Sequence, residues 1–198
     1  MAINVNPGKP LRQIATFNSS GNWTASAATN LAFVSIHGAT GGGASGVGYY
    51  NDYGTNRNGG AGGTGIITSA WVQVTPSATH VITIGAGGAG GAGTPLPSNL
   101  AGSTGGTTSF DGALSAFGSG GGLVGAGNTP GGSGNAGTSS GQTAYSTVSP
   151  SNSALKRTGT IANQTSGGFG GGAGSNAAPN GTSNAGSAGT SGQIHIYV

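Results

Sequence analysis

Ile82-Thr83-Ile84-Gly85-Ala86-Gly87-Gly88-Ala89-Gly90-Gly91-Ala92-Gly93 is the stretch that decides the fold. A short β-like run passes directly into glycine at two of every three positions, so the period changes from two to three. A three-residue period with almost no side chain is the repeat of the polyproline II conformation, which has no internal hydrogen bonds. Its N–H and C=O groups must then bond neighbouring segments, and glycine lets the backbones come close enough to do so. The change of period recurs along the chain. It predicts an all-β, otherwise irregular protein: short antiparallel strands carrying a bundle of polyglycine II helices, with essentially no α-helix.

Before this stretch, Ile66 to Val74 is strand-like, with Ala70, Val72 and Val74 on one face and Trp71 and Gln73 on the other. Pro76-Ser77-Ala78 turns the chain, and His80 to Ile84 is expected to complete a hairpin with His80, Ile82 and Ile84 on one face. Earlier, Gln13 to Phe17 is a strand, Ser19-Ser20-Gly21-Asn22 a turn into Trp23-Thr24, and Leu31 to His37 a strand apolar on both faces that stops at Gly38. Residues 38–65 hold two glycine passes, Gly41-Gly42-Gly43 and Gly59-Gly60-Ala61-Gly62-Gly63, around an aromatic, polar loop. Residues 1–12, with Pro7, Lys9, Pro10 and Arg12, are expected to form an extended arm, and residues 13–198 the glycine-rich domain.

After it, Phe110, Leu114 and Phe117 are apolar anchors. Glycine then falls in a three-residue frame at Gly125, Gly131, Gly134 and Gly137, and again at Gly186, Gly189 and Gly192. Gly168-Phe169-Gly170-Gly171-Gly172 adds another pass. Thr143 to Gln164, poor in glycine, is an excursion loop, and Gln193 to Val198 alternates as a strand. Collagen is excluded, because glycine often fills two positions in three, the runs are short and there are only 8 prolines.

Glycine supplies 46 of 198 residues, against an average usage of about 7%. Hydrophobic residues are 33%, many of them alanine, so a side-chain core must be small and backbone pairing or partner chains must add cohesion. Charged residues are only 4%, which does not suit a disordered chain, although a Gly/Ser-rich linker is a rival for the glycine tracts. The net charge of +3 comes from Lys9, Arg12, Arg57, Lys156 and Arg157 against Asp52 and Asp111. Five scattered cations are few for a groove that follows phosphates, so no nucleic acid is expected. Without cysteine there is no disulfide or thiolate metal site. The N-terminal residues lack a basic region followed by an apolar one, and no window approaches the roughly 18 apolar residues of a membrane span, so neither a secretory signal nor membrane insertion is expected.

The order of segments resembles the glycine-rich domains of bacteriophage tail fibres and minor tail proteins. The resemblance rests on Phe17 to Thr24, Leu31 to Gly43, Val72 to Gly88, Thr108 to Ala116 and Gly192 to Val198, and it spans most of residues 13–198. It departs in the Tyr49 to Arg57 loop, the Thr143 to Gln164 excursion and the proline-containing arm. The resemblance implies a virion component at the host-contacting end, present as a homotrimer, with the arm docked on other virion proteins. A capsid decoration protein is the alternative. An ice-binding protein is a third, disfavoured because long regular threonine spacing is missing.

Gly85-Ala86-Gly87-Gly88-Ala89-Gly90 matches G-x-G-x-x-G, with Asp111 near the spacing of a ribose-binding acid. A dinucleotide site needs a helix to begin inside that motif, and Gly91, Gly93, Pro95 and Pro97 forbid one. His37, His80 and His195 sit in or beside different strands without a neighbouring ligand, so neither a metal site nor a cofactor is expected. With two carboxylates and no nucleophile elbow, an enzyme is not expected either. The best binding candidate is the group Tyr49, Tyr50, Asn51, Asp52, Tyr53, Asn56 and Arg57. Exposed tyrosines offer flat faces and hydroxyls, and the amides add donors and acceptors, a combination suited to a bacterial surface glycan or protein. The structural alternative, that the tyrosines cap the bundle or fill an intersubunit contact, weighs somewhat more.

With no apolar 3.6-residue period, far-ultraviolet circular dichroism should show strand and polyproline-like signal. A substantial helical minimum would contradict the glycine-bundle reading.

Overall fold

The computed structural model describes residues 11–47, 58–93, 100–124, 131–141 and 183–198. Among these residues the chain is all-β, without a helix. The strands are β1 (Gln13–Phe17), β2 (Gly21–Thr24), β3 (Leu31–His37), β4 (Gly46–Val47), β5 (Ile67–Gln73), β6 (Thr79–Thr83), β7 (Thr108–Phe110), β8 (Leu114–Ala116), β9 (Ser139–Gly141), β10 (Ser183–Asn184) and β11 (Gln193–Tyr197). One sheet runs β1-β11-β3-β5, a second β2-β6-β7-β8-β9, and β10 pairs with β4. Each pairing is antiparallel.

Alternation turns one face of each sheet inward. Ala32, Val34 and Ile36 of β3, Ile194 and Ile196 of β11 and Val72 of β5 meet Trp23, Ile82, Phe110, Leu114 and Ala116 of the other sheet in one buried cluster. β3, β5 and β11 lie against β7 and β8, so the arrangement is a two-layer sandwich. Of the three anchors expected in residues 107–117, Phe110 and Leu114 are buried. Phe117 follows inward-facing Ala116 and is 40% exposed.

The expected hairpin between residues 66–74 and 80–84 is not formed. β5 pairs with β3 in the first sheet, whereas β6 pairs with β2 and β7 in the second, so the turn at residues 75–78 crosses between layers. Both strands carry an apolar face, and opposing sheets bury both against one core. Each end of the turn is tied to its own layer. Val74 N–H donates to the Asn30 carbonyl, and Ala25 N–H donates to the Ala78 carbonyl.

At one end of the sandwich the strands continue as glycine segments. β3, β6 and β8 run into residues 39–45, 85–91 and 118–123, while residues 58–65, 100–106, 131–137 and 186–192 lead into β5, β7, β9 and β11. Segment 39–45 is the hub, and its N–H groups turn to a new neighbour at each residue. Gly41 and Ala44 donate to Gly63 and Gly60, Gly42 and Ser45 to Ser103 and Leu100, and Thr40 and Gly43 to Thr190 and Ser187. Its carbonyls serve two further segments. Thr40 and Gly43 accept from Gly88 and Gly91, and Ala39 and Gly42 accept from Ser119 and Gly122. These bonds span 2.8–3.4 Å. The longest, Gly41 to Gly63, is bridged by buried Ser119, whose Oγ accepts from Gly41 N–H and donates to the Gly63 carbonyl.

The same three-residue spacing orders the outer segments. Gly131, Gly134 and Gly137 donate in turn to Asn58, Ala61 and Thr64; Gly186, Gly189 and Gly192 donate to Gly91, Gly88 and Gly85. Burial follows the same period. In residues 85–92 the alanines Ala86, Ala89 and Ala92 are exposed, while Gly85, Gly88 and Gly91 are buried. A Cβ at Gly42 would overlap the Ala89 carbonyl, and one at Gly88 the Ser103 carbonyl.

Gly42→Ala should therefore lower stability by about 3 kcal/mol or more, because backbone rather than a movable side chain must give way. Gly112→Ala, at φ 67° with open space around it, should cost about 1 kcal/mol from backbone strain. Gly21→Ala, whose added methyl would meet only Phe17 at 3.9 Å, should stay within about 0.5 kcal/mol. Denaturant unfolding of the three variants checks the ranking.

Candidate functional site

Tyr49, Tyr50, Asn51, Asp52, Tyr53, Asn56 and Arg57 lie outside the described residues, as do residues 1–10 and Thr143 to Gln164. The described flanks of the tyrosine stretch can be located. Residues 47 and 58 end neighbouring antiparallel segments at the bundle end remote from the sandwich. Residues 93 and 100, and 124 and 131, end there too, because Gly91 bonds Gly43, Ser45 bonds Leu100 and Leu123 bonds Gly132. Three stretches of chain thus leave and return at one end of the bundle. At the opposite boundary of the first stretch of sequence, Arg12 exchanges both backbone bonds with Val198 and so prolongs the β1–β11 pairing.

The G-x-G-x-x-G motif is one pass of the bundle. Gly88 N–H donates to Thr40, the Gly85 N–H to Thr108 Oγ1, and the Gly85 and Gly88 carbonyls accept from Gly192 and Gly189. Asp111 is occupied elsewhere: its Oδ2 lies 3.0 Å from His80 Nδ1. The His80 ring is buried, stacked on Phe110 at 5.5 Å and tilted against Trp23 at 5.6 Å. With Nδ1 donating to the carboxylate, Nε2 is left buried without a hydrogen-bond partner, at a cost of about 1–3 kcal/mol. No group of three or more potential metal ligands occurs among the described residues.

The structure brings together other residues that the linear chain keeps far apart. On the outer face of the first sheet, register aligns three rows across the strands. Trp71, Phe33, Tyr197 and Gln13 form the first; Ser69, Ser35, His195 and Thr16 the second; Ile67, His37 and Gln193 the third. Phe33 meets Trp71 at 5.3 Å and Tyr197 at 6.0 Å, both edge to face. Although it points away from the core, Phe33 is only 4% exposed, while Trp71 and Tyr197 remain half-buried.

A directed chain of polar contacts crosses this face. Gln13 Nε2 donates to Thr16 Oγ1 at 2.7 Å, and Thr16 Oγ1 lies 3.2 Å from His195 Nδ1. His195 Nε2 lies 3.0 Å from Gln193 Oε1, which only accepts, and Gln193 Nε2 donates to Asn18 Oδ1 at 2.5 Å. With Gln193 Oε1 as acceptor, His195 Nε2 carries a proton, and in the neutral ring Nδ1 receives the Thr16 hydroxyl. The His37 ring stands edge to face on it at 5.3 Å. Burial, and then the neighbouring His195, push the His37 pKa down; burial lowers that of His195. Strand character in residues 31–37 and alternation in residues 193–197 were legible in the sequence, but the register that joins their outward residues was not.

A family model described as a glycine-rich domain matches residues 16–198. No curated protein matches the chain.

The lowered histidine values make stability depend on pH. In the unfolded chain these groups take up protons near 6.5, and in the fold only at lower pH. Stability is thus fully present above 6.5, falls as pH drops toward the folded values, and levels off below them. Melting temperatures from about pH 7.5 to about pH 5 should decline in the wild type and decline less in a His37→Gln/His195→Gln variant. Parallel profiles would show that the pair does not contribute.

Proposed function

The chain belongs to the glycine-rich domain family, and we propose that it is a non-enzymatic structural protein of a bacteriophage particle, a minor tail or fibre-tip component that contacts the host surface. One observation carries this reading: the residues that bracket 48–57, 94–99 and 125–130 sit together at the free end of a bundle cross-linked by backbone bonds on every side of its hub. Such a body holds the roots of binding stretches at fixed spacing, which limits the ordering cost of attachment. In this proposal the glycine segments are polyglycine II helices, and three copies associate, adding buried surface to a chain that is only 33% hydrophobic. Residues 1–12 engage other virion proteins, and Tyr49, Tyr50, Asn51, Asp52, Tyr53, Asn56 and Arg57 meet a bacterial surface glycan or protein. The order of glycine passes and strands, which resembles phage fibre domains, adds to the support.

Replacing Tyr49, Tyr50 and Tyr53 by alanine should reduce adsorption of particles to cells more than tenfold while assembly is retained, since a desolvated aromatic anchor is worth about 2 kcal/mol. Unchanged adsorption would favour capsid decoration, and loss of assembled protein would place the tyrosines in a structural contact.

A further inference from the structure

We propose that the outer face of the β1-β11-β3-β5 sheet is a binding site for a linear, uncharged polysaccharide lying across the strands along the Trp71–Phe33–Tyr197 row. The inference stands apart from the virion reading and rests on three properties of the face.

The first is the aromatic row itself. Trp71 and Tyr197 flank Phe33 from opposite strands, so they are two interstrand spacings apart, roughly 10 Å. That separation suits alternate rings of an extended glycan. Phe33 is nearly covered, with both neighbours edge to face against it, and the accessible aromatic surface of the row belongs to Trp71 and Tyr197. Sugar rings present weakly polar C–H faces that pack on aromatic faces.

The second is the adjacent row. Ser69 and His195 lie two residues along the same strands, roughly 7 Å from the aromatic row. Ser69 Oγ, which donates to Ser35 Oγ, keeps lone pairs that can accept from a sugar hydroxyl, whereas both His195 nitrogens are engaged by Thr16 and Gln193 and the ring only borders the row. Ser69 Oγ is held by Ser35 Oγ at 2.9 Å, and His195 by Thr16 and Gln193, so these groups are ordered before a ligand arrives.

The third is charge. None of the three rows contains Lys, Arg, Asp or Glu. Within these rows a phosphate-bearing or uronic-acid ligand would find no counter-charge and would lose its hydration; an uncharged glycan loses little. Electrostatic complementarity therefore selects the neutral class.

The test is affinity electrophoresis of the full chain in native gels containing hydroxyethylcellulose, xyloglucan or dextran, with polygalacturonate as the anionic probe. At least one neutral polymer should retard the wild type, and polygalacturonate should not. Trp71→Ala and Tyr197→Ala should each weaken the retardation more than about tenfold, and Ser69→Ala severalfold. Melting curves identify any variant that fails to fold, and Tyr197→Ser and Trp71→Leu then take its place. Absence of retardation by all three neutral polymers would overturn the proposal, as would retardation that survives loss of either aromatic ring. Sedimentation equilibrium supplies the remaining outcome: a wild-type oligomer that Trp71→Ala dissociates would assign the face to a contact between copies and overturn the glycan reading.

Discussion

The lateral hydrogen bonds of segment 39–45 are the constraint on which the rest of the structure depends. Residues 38–46 are all buried, and a buried run of backbone is tolerable only if its N–H and C=O groups find partners. Five surrounding segments supply them. Each bond contributes only about 1 kcal/mol net, and glycine surrenders more chain entropy on ordering than other residues do, so the bundle gains its stability from the number of bonds and from being aligned in advance. The sandwich provides that alignment. Its apolar core fixes strand order, and strand order fixes which glycine segments emerge side by side.

In the sandwich, side chains hold the two layers about 10 Å apart. Beyond Gly38, Gly85 and Gly118 the side chains shrink or vanish, and the layers close to hydrogen-bonding distance. Segment 39–45 of one layer then bonds directly to residues 88–91, 100–103 and 119–122 of the other. Bonds between neighbours within a layer carry on as well: residues 41–44 stay with 60–63 as β3 stays with β5. The same chain is thus held by apolar burial at one end and by backbone pairing at the other, with hydroxyls at the seam. Thr108 Oγ1 accepts from Gly85 N–H and Ser20 Oγ from Ile84 N–H, where strand pairing has stopped.

Glycine frequency along the sequence turns out to count neighbours. Segment 39–45, surrounded by partners, carries Gly41-Gly42-Gly43 and otherwise only small residues. Residues 85–91 use two glycines per triplet and expose the alanines, while residues 186–192, on the outside, keep one glycine per triplet, and residues 131–137 do so after Gly132, in each case at the position that donates inward. This much of the fold, together with β3, β5 and β11, was legible because it is written in local period. The link between β5 and β6 was not, since a four-residue turn between two half-apolar strands fits a hairpin and a change of layer equally well. Only long-range partners, Asn30 for Val74 and Ala25 for Ala78, decide it. The outer face was hidden for the same reason: Phe33, Trp71 and Tyr197 are far apart in sequence and become one row through pairing alone.

The two candidate surfaces follow from this division. At the free end of the bundle, a connecting stretch can change length without disturbing the bonds below it, because closing a longer loop adds little entropic cost. The stretches between residues 47 and 58 and between residues 93 and 100 can therefore vary while Gly43, Gly60, Gly91 and Leu100 keep their partners. On the sheet face the opposite holds. Trp71, Phe33 and Tyr197 are set by strand register, and a one-residue slip would turn all three into the core and bring Val72, Val34 and Ile196 out. Variable chemistry thus belongs at the bundle end and fixed chemistry on the sheet. Low overall charge serves both, since a backbone bundle this close-packed has no room for ionic side chains at its inward triplet positions, where even a methyl at Gly42 meets a carbonyl oxygen.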